Sequence, residues 1–422
     1  MTTKELKEIL ASGGMDKYSD LYQNTNAQAQ RVLLALDGFV KLYGEGDVML
    51  LSVPGRSEIL GNHTDHNYGC VLAGAIDRDV MALARRTDTD TVRFYSEGYG
   101  EVLVSLNEVN DPDKFEKYSS ASLIAGVIRA FMNDGLSVGG FDVYSNTEVL
   151  KGSGISSSAA FEVMIGNILN HLYNGGSVDN KKLAMYAQYA ENVYFGKPCG
   201  LMDQMACAVG GFVYIDFENP KAPIVEPINF SLTDAGYSLV LVNTGDDHAD
   251  LSDEYAAVPL EMKAVAKALG RDVLRGIGES ELVRNLGALR AATSDRAVLR
   301  AIHFVRENDR VNLAKSQLIS GETDGLLKTV LASGHSSFEY LQNVFTPKMK
   351  NQGLSLALAM AGGFGDGIGA YRVHGGGFAG TILTFVKNEA AEGFIKYMDG
   401  AFGAGASMKL RIRGVGAAKL FG

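Results

Sequence analysis

The chain has 422 residues, of which 46% are hydrophobic and 21% charged, as in a globular protein rather than a disordered one. Its formal net charge of −10 at pH 7 gives no reason to expect a nucleic acid or an anionic membrane as a partner. Domains typically have about 100–200 residues, so this length predicts two or three of them.

The cysteine content and the N-terminal segment indicate the compartment. Three cysteines, Cys70, Cys199 and Cys207, are too few for a disulfide framework and fit a reducing compartment. The first twenty residues are polar and charged and lack the apolar core of a signal peptide. No run approaches the roughly 18 apolar residues of a membrane-spanning helix. We therefore expect a cytoplasmic location.

The first third of the chain mixes helical and strand patterns. A helix is predicted over 27–44, where a glycine would end it. Strands are predicted at 47–53 and 70–76, and the intervening PGRSEIL (54–60) has the residues of a turn. After Ser156, apolar residues recur at the i, i+3, i+4, i+7 spacing of a helix.

A proline-rich segment marks the predicted domain boundary. The strand pattern GGFVYIDF (210–217) is followed by three of the chain's eight prolines within 220–227. Proline removes a backbone donor and fixes the backbone, so it favours a connection between domains. The sequence therefore predicts one domain over 1–220 and a second over 228–422.

The second domain begins with a predicted strand at 237–244, followed by helical patterns over about 254–361. A glycine-rich stretch then leads to TILTFV (381–386), which is typical of a buried strand. Within that stretch, HGGGFAG (374–380) is expected to form a tight turn between packed elements.

The strongest local chemical pattern is the serine loop VLKGSGISSSAAFE (149–162). Its glycines allow close backbone approach, and the helix after it offers free N–H groups to an anion. It lacks the lysine of a Walker A loop, the third glycine of a dinucleotide fingerprint and the closing glycine of a nucleophile elbow. A phosphate site and a plain helix cap both remain open from these residues alone.

The segment GNHTDHN (61–67) concentrates two histidines, an aspartate and two asparagines. Such a cluster can hold a metal, move a proton or bind the hydroxyls of a sugar. His63, Asp65 and His66 could form a metal site, but no further ligand follows at a known spacing.

Four motifs in this order resemble the galactokinase branch of the GHMP sugar-kinase family: PGRSEILGNHTDHNYG, KGSGISSSAAFE, GKPCGLMDQMACAVGG and GAYRVHGGGFAG. The likeness extends over about 52–385. It implies an α+β fold of two domains with the active site in the cleft between them. It also implies ATP- and Mg²⁺-dependent phosphorylation of a sugar at its anomeric C1 hydroxyl. The oligomeric state stays open.

Individual residues match functional positions of that family. The matched residues are Arg56 and Asp203 for catalysis; Asn62, His63, Asp65 and Tyr255 for the sugar; Lys151, Gly152, Ser153, Gly154, Ile155, Ser156, Ser157 and Ser158 for the ATP phosphates; and Ser158 and Glu191 for Mg²⁺. An aspartate can accept the hydroxyl proton, and an arginine beside it keeps the carboxylate ionised.

Asn62 departs from the resemblance, because galactokinases usually carry glutamate there, near the C6 hydroxyl of the sugar. Asparagine both donates and accepts hydrogen bonds and carries no charge. The favoured substrate is galactose, with a C6-modified relative such as galacturonate as the alternative.

Two further functions are weighed. A damaged phosphate loop would indicate a non-catalytic sensor of sugar and nucleotide. Here GISSSAAFE, Arg56 and Asp203 are all present, which favours catalysis. A kinase for homoserine or mevalonate is disfavoured by the segments NHTDHN and CGLMDQ.

Overall fold

The computed structural model describes residues 1–149, 154–197, 199–245, 251–346 and 350–422. Two β-sheets, of eight and four strands, form the framework of this described part. The strands are β1 Met49–Leu60, β2 Cys70–Arg86, β3 Thr91–Ser96, β4 Gly100–Ser105, β5 Phe141–Thr147, β6 Phe212–Asp216, β7 Ile224–Ile228, β8 Tyr237–Asn243, β9 Ile368–Val373, β10 Thr381–Lys387, β11 Ser407–Leu410 and β12 Ala418–Phe421.

Helices cover both sheets. They are α1 Thr3–Ala11, α2 Thr25–Tyr43, α3 Ser120–Asn133, α4 Ser157–Tyr173, α5 Asn180–Tyr189, α6 Met202–Val209, α7 Ser252–Ala268, α8 Glu279–Arg284, α9 Leu286–Ala292, α10 Asp295–Ser320, α11 Thr323–Ser336, α12 Gly353–Gly363 and α13 Ala391–Phe402. The helices predicted over 27–44 and after Ser156 are α2 and α4, and Gly44 ends α2 as expected.

The large sheet has the strand order β12-β1-β2-β5-β3-β4, and β6 and β7 extend from β2. Strand β2 is long enough to serve two partners on one edge. Its first half pairs with β6 and its second half with β5, while β1 runs along the other edge. The pairing of β3 with β5 is parallel, and the other pairings of this sheet are antiparallel.

Both faces of this sheet are buried. Side chains alternate between the two faces along a strand, so neighbouring residues enter different cores. Leu51 and Val53 of β1 face a core formed with α3 to α6. Leu50 of β1 and Leu83 of β2 face the opposite way, against α1 and α2. The N-terminal helices therefore cover one face of the sheet, and α4 and α6 approach the other.

The small antiparallel sheet has the order β11-β8-β10-β9. Val240 and Val242 of β8 face a core with α12 and α13, and Leu239 and Leu241 face the side of α10 and α11. The glycine-rich loop between β9 and β10 is thereby held at one end of this sheet.

One expectation about a connection is wrong. PGRSEIL is strand rather than turn, and it continues β1 with register shifts between Pro54 and Arg56 and between Glu58 and Leu60. The proline-rich segment contains β7, which pairs with β6 of the large sheet. Strand β12 also pairs with β1, so the end of the chain returns to the large sheet. The boundaries 1–220 and 228–422 stay a prediction.

Candidate active site

The second half of β1 carries the first site residues into the interior. Arg56 and Glu58 are two positions apart on the strand and both line the same cavity. Ser57, between them, accepts or donates a hydrogen bond with His374 Nε2 at 3.1 Å. Burial and two neighbouring arginines lower the pKa of His374 well below its usual value, so this imidazole is neutral.

Arg56 forms a bidentate ion pair with Asp203 in the first turn of α6. Arg56 Nε donates to Oδ1 at 2.7 Å and Nη2 donates to Oδ2 at 2.8 Å, while Nη1 donates to the Gly154 carbonyl at 2.6 Å. Ser156 Oγ also donates to Asp203 Oδ2, at 2.5 Å. Burial acts to raise the pKa of Asp203, but Arg56 and Ser156 outweigh it and the pKa lies below its usual value. The carboxylate is therefore ionised at neutral pH.

The serine loop leads into α4, and Ser156 stands at the junction. Its φ of +62° lies in the left-handed region that non-glycine residues seldom adopt. Because its hydroxyl binds Asp203, Ser156 does not cap α4 with its side chain. The first residues of α4, Ser157 and Ser158, line a cavity, and the amides at a helix N-terminus can bind an anion. Three predicted phosphate residues lie outside the described residues: Lys151, Gly152 and Ser153.

A polar cluster beside the loop contains Ser158, Glu162, Glu191, Lys197 and Gln204. Glu191 Oε1 accepts from Lys197 Nζ at 3.2 Å and from Ser158 Oγ at 3.5 Å. Gln204 Nε2 donates to Glu191 Oε2 at 2.7 Å and to Glu162 Oε2 at 3.2 Å. Among the described residues, Glu162 Oε1 is buried without a partner, and burial with the nearby Glu191 raises the pKa of Glu162 well above its usual value. The carboxylate oxygens of Glu162 and Glu191 and the hydroxyl oxygen of Ser158 are hard donors of the kind that Mg²⁺ prefers.

The segment 61–67 follows β1 and brings His63 to the cavity wall. His63 Nε2 lies 3.0 Å from the Gly376 carbonyl, and its ring packs edge-on against Tyr255 with centroids 5.2 Å apart. Burial lowers the pKa of His63 to about 3. Since Nε2 donates to a carbonyl, the neutral ring has its acceptor at Nδ1.

Asp65 lines the same cavity from a single 3₁₀ turn. Its Oδ1 accepts from the backbone N–H of His66 at 2.9 Å. A Cβ at Gly200 would lie 2.5 Å from Asp65 Oδ2, so a larger residue there would displace the Asp65 carboxylate. Asp65 and Asp203 line one cavity, and Gly200 leaves room for the Asp65 carboxylate there.

Asn62 is fully buried, and its amide is bonded to protein groups throughout. Its Nδ2 donates to Glu58 Oε1 at 3.0 Å and to the Gly375 carbonyl at 2.6 Å. Its Oδ1 accepts from Asn343 Nδ2 at 2.6 Å. Glu58 Oε1 also accepts from Arg372 Nη2 at 2.8 Å. Asn62 thus holds the glycine-rich loop against β1, and its direct contact with sugar stays a prediction.

Two cavities meet at the ion pair. One, of about 160 Å³, is lined by β1, the segment 61–67 and the CGLMDQ motif. The other, of about 590 Å³, is lined by Gly154 and Ser156–Ser158 in the described part of the serine loop. Five residues line both: Arg56, Lys197, Asp203, Tyr255 and Gly376. A group held in the first cavity can therefore approach a phosphate held in the second beside Asp203.

The galactokinase galactose-binding signature matches residues 37–86, and the GHMP kinases N terminal domain matches residues 122–211. The galactokinase of Streptomyces coelicolor is 31% identical over 369 residues, which are 87% of this chain and 92% of that protein. The chain belongs to the galactokinase family. The predicted membership in the galactokinase branch of the GHMP sugar kinases is confirmed, and the chain is a sugar kinase.

Further galactokinases and solved structures agree. The galactokinase of Clostridium tetani is 29% identical over 85% of this chain and 89% of its own. The structure of Lactococcus lactis galactokinase complexed with galactose is 24% identical and has a TM-score of 0.79, covering 92% of this chain and 100% of that one. A mevalonate kinase structure is 13% identical with a TM-score of 0.61, over 86% and 99% of the two chains. The predicted fold class is confirmed.

The residues predicted from the resemblance to galactokinases lie together in this site, as far as the structure describes them. Arg56, Asp203, His63, Asp65 and Tyr255 all line the first cavity, although their roles stay predictions. No helix in the described ranges is long and apolar enough to cross a membrane.

Sequence reasoning missed several residues of the site. Glu58, Lys197, Gly375 and Gly376 line the first cavity, the last two from the loop predicted to be only a tight turn. Period-2 alternation from Arg56 would have pointed to Glu58, had PGRSEIL been interpreted as strand.

Proposed function

We propose that this member of the galactokinase family transfers the γ-phosphoryl group of ATP to the anomeric C1 hydroxyl of galactose. The observation that carries the proposal is the position of the Arg56–Asp203 pair, where the cavity beside segment 61–67 meets the cavity beside the serine loop. The galactose named with the Lactococcus lactis structure supports this choice of sugar.

In the proposed reaction, Asp203 accepts the proton of the C1 hydroxyl, and that oxygen attacks the γ-phosphorus. The bond from the γ-phosphorus to the β,γ-bridging oxygen breaks, and ADP leaves. Phosphoryl transfer depends mainly on alignment and charge stabilisation. Arg56 is bonded to Asp203 on one side and to the Gly154 carbonyl on the other, so it links the acceptor carboxylate to the phosphate side.

His63 and Asp65 are assigned to the sugar hydroxyls. His63 offers Nδ1 as an acceptor, and the Asp65 carboxylate accepts from hydroxyl donors. A site that hydrogen-bonds hydroxyls rejects analogues that lack them, because its polar groups would stay unpaired. Tyr255 packs against His63 and covers the junction of the two cavities.

The polar cluster fits a Mg²⁺ ion. Glu191 and Ser158 would hold it, and the buried, unpaired Oε1 of Glu162 shows that this cluster has oxygen capacity without a protein partner among the described residues. When bound, the ion supplies positive charge to the phosphate oxygens of ATP. Lys197, paired with Glu191 and lining both cavities, adds a second positive charge at the same place.

An ADP-release assay with MgATP tests the proposal. Galactose, galacturonate, N-acetylgalactosamine and arabinose are compared with a blank that lacks sugar. We expect strong turnover with galactose. Silence across the panel with sugar binding still detectable would overturn the proposal in favour of a sensor.

A further inference from the structure

The charge expected of residue 62 is present in the cavity, but on a different residue. Glu58 is buried, lines the first cavity and is the direct hydrogen-bond partner of Asn62, at 3.0 Å. Asn62 carries no charge and its amide groups are occupied by Glu58, Gly375 and Asn343. An acceptor for a sugar hydroxyl at this wall must therefore come from a neighbour.

Glu58 has unused acceptor capacity. Within the described residues, Asn62 Nδ2 and Arg372 Nη2 both donate to its Oε1. No described residue donates a hydrogen bond to its Oε2. The side chain lines the cavity and keeps 6% of its surface exposed. A carboxylate oxygen has two lone pairs, so Oε2 can accept from a ligand hydroxyl.

Burial raises the pKa of Glu58, while the neighbouring Arg372 and Arg56 favour its ionised form. The charges of the lining residues disfavour an anionic group. The described residues that line the cavity include the carboxylates of Glu58, Asp65, Glu191 and Asp203. Arg56 is paired with Asp203 and Lys197 with Glu191, so each lining arginine or lysine already has an acidic partner. A substrate carboxylate at this wall would meet like charge without a free cation.

Resting on the proposed function, we propose that Glu58 is the residue that reads C6 of the sugar. Its Oε2 accepts the C6 hydroxyl of galactose, and its charge rejects a C6 carboxylate. Asn62 then acts as a positioning residue that holds Glu58 by the bond to Oε1. Although Asn62 is neutral, the site therefore still rejects galacturonate, because Glu58, four positions earlier in the chain, supplies the carboxylate.

The test compares kcat/KM for galactose, 6-deoxygalactose and galacturonate in the wild type and in Glu58→Gln. Wild type should prefer galactose to both analogues by on the order of 100-fold. Glu58→Gln keeps Oε1 for Asn62 and Arg372 but removes the charge. The ratio of kcat/KM for galactose to kcat/KM for galacturonate should fall by about 10-fold or more in this variant.

Asp142→Asn is the matched control, because Asp142 is a buried carboxylate paired with Arg85 and Arg93 and lines neither cavity. It should leave both substrate ratios unchanged. Unchanged ratios in Glu58→Gln, with galactose still phosphorylated, would overturn the role of Glu58 alone. A wild type without turnover on any of the sugars would overturn the proposed function itself.

The wild-type ratios decide the question if Glu58→Gln does not fold. A wild type that uses galacturonate or 6-deoxygalactose as well as galactose would refute the assignment. A wild type that rejects both supports it, and equilibrium binding of the three sugars should follow the same order.

Discussion

Replacing Asp203 with asparagine removes the charge of the carboxylate and keeps its shape. The asparagine oxygen can still accept from Arg56 Nε, but its NH₂ group would face Arg56 Nη2, donor against donor. One charge-assisted hydrogen bond is lost, worth about 1.5–3 kcal/mol, and the buried guanidinium loses its counter-charge. We expect the free energy of unfolding to fall by about 2–4 kcal/mol.

The same change should lower kcat by about 10²- to 10⁴-fold, because no carboxylate accepts the hydroxyl proton. ADP release with MgATP and galactose measures turnover, urea unfolding measures stability, and calorimetry measures ATP binding, which should stay unchanged.

Asp142→Asn serves as the control for stability. Arg93 Nε and Nη2 donate to the two Asp142 oxygens at 2.7 Å and 2.8 Å, the same arrangement as in the Arg56–Asp203 pair. Both variants should lose stability, and only Asp203→Asn should lose turnover. A folded Asp203→Asn enzyme with kcat within about tenfold of wild type would refute the assignment of Asp203.

Three other changes test the site and its surroundings. In Gly376→Ala the new Cβ would lie 1.9 Å from Tyr255 Cε2, so the ring must move, and we expect KM for galactose to rise about tenfold. Gly363→Ala, with no atom within 4 Å of its Cβ, should leave KM unchanged. Ser158→Ala removes a hydroxyl from the cation site and should raise the Mg²⁺ concentration for half-maximal turnover about tenfold, measured by titration at fixed ATP. Burial lowers the pKa of His303 to about 4, so its contribution to stability is complete above its unfolded pKa of about 6.5 and is lost as pH falls toward 4. In urea unfolding, the stability difference between wild type and His303→Gln should shrink by about 1.4 kcal/mol per pH unit from pH 6.5 to 4.5, and a constant difference would contradict this.

The sequence predicts the helices best where apolar spacing is regular and caps are clear. Helix α4 is buried along most of its length and α2 ends at a glycine, so pattern and structure agree. PGRSEIL is misleading because proline and glycine usually mark turns. Here they coincide with a register shift between Pro54 and Arg56 within a continuing strand, where the paired β2 supplies the partners. Tertiary pairing decides this segment, and local composition does not report it.

The site is predictable where one motif carries one function, as for Arg56 and Asp203. It is not predictable where function depends on contacts between distant segments. Asn62 meets Asn343 from 281 positions away and the Gly375 carbonyl from 313 positions away. Such partners are set by the packing of the glycine-rich loop on β1, which no local pattern in HGGGFAG indicates.

The left-handed backbone of Ser156 affects any attempt to engineer a more stable enzyme. Glycine adopts this conformation without the steric cost of a Cβ, so the backbone conformation taken alone would favour glycine at this position. That replacement would also remove the hydroxyl that binds Asp203. Backbone conformation and side-chain contact therefore place opposite demands on this residue, and a substitution chosen from the φ angle alone would remove a hydrogen bond from the Asp203 carboxylate.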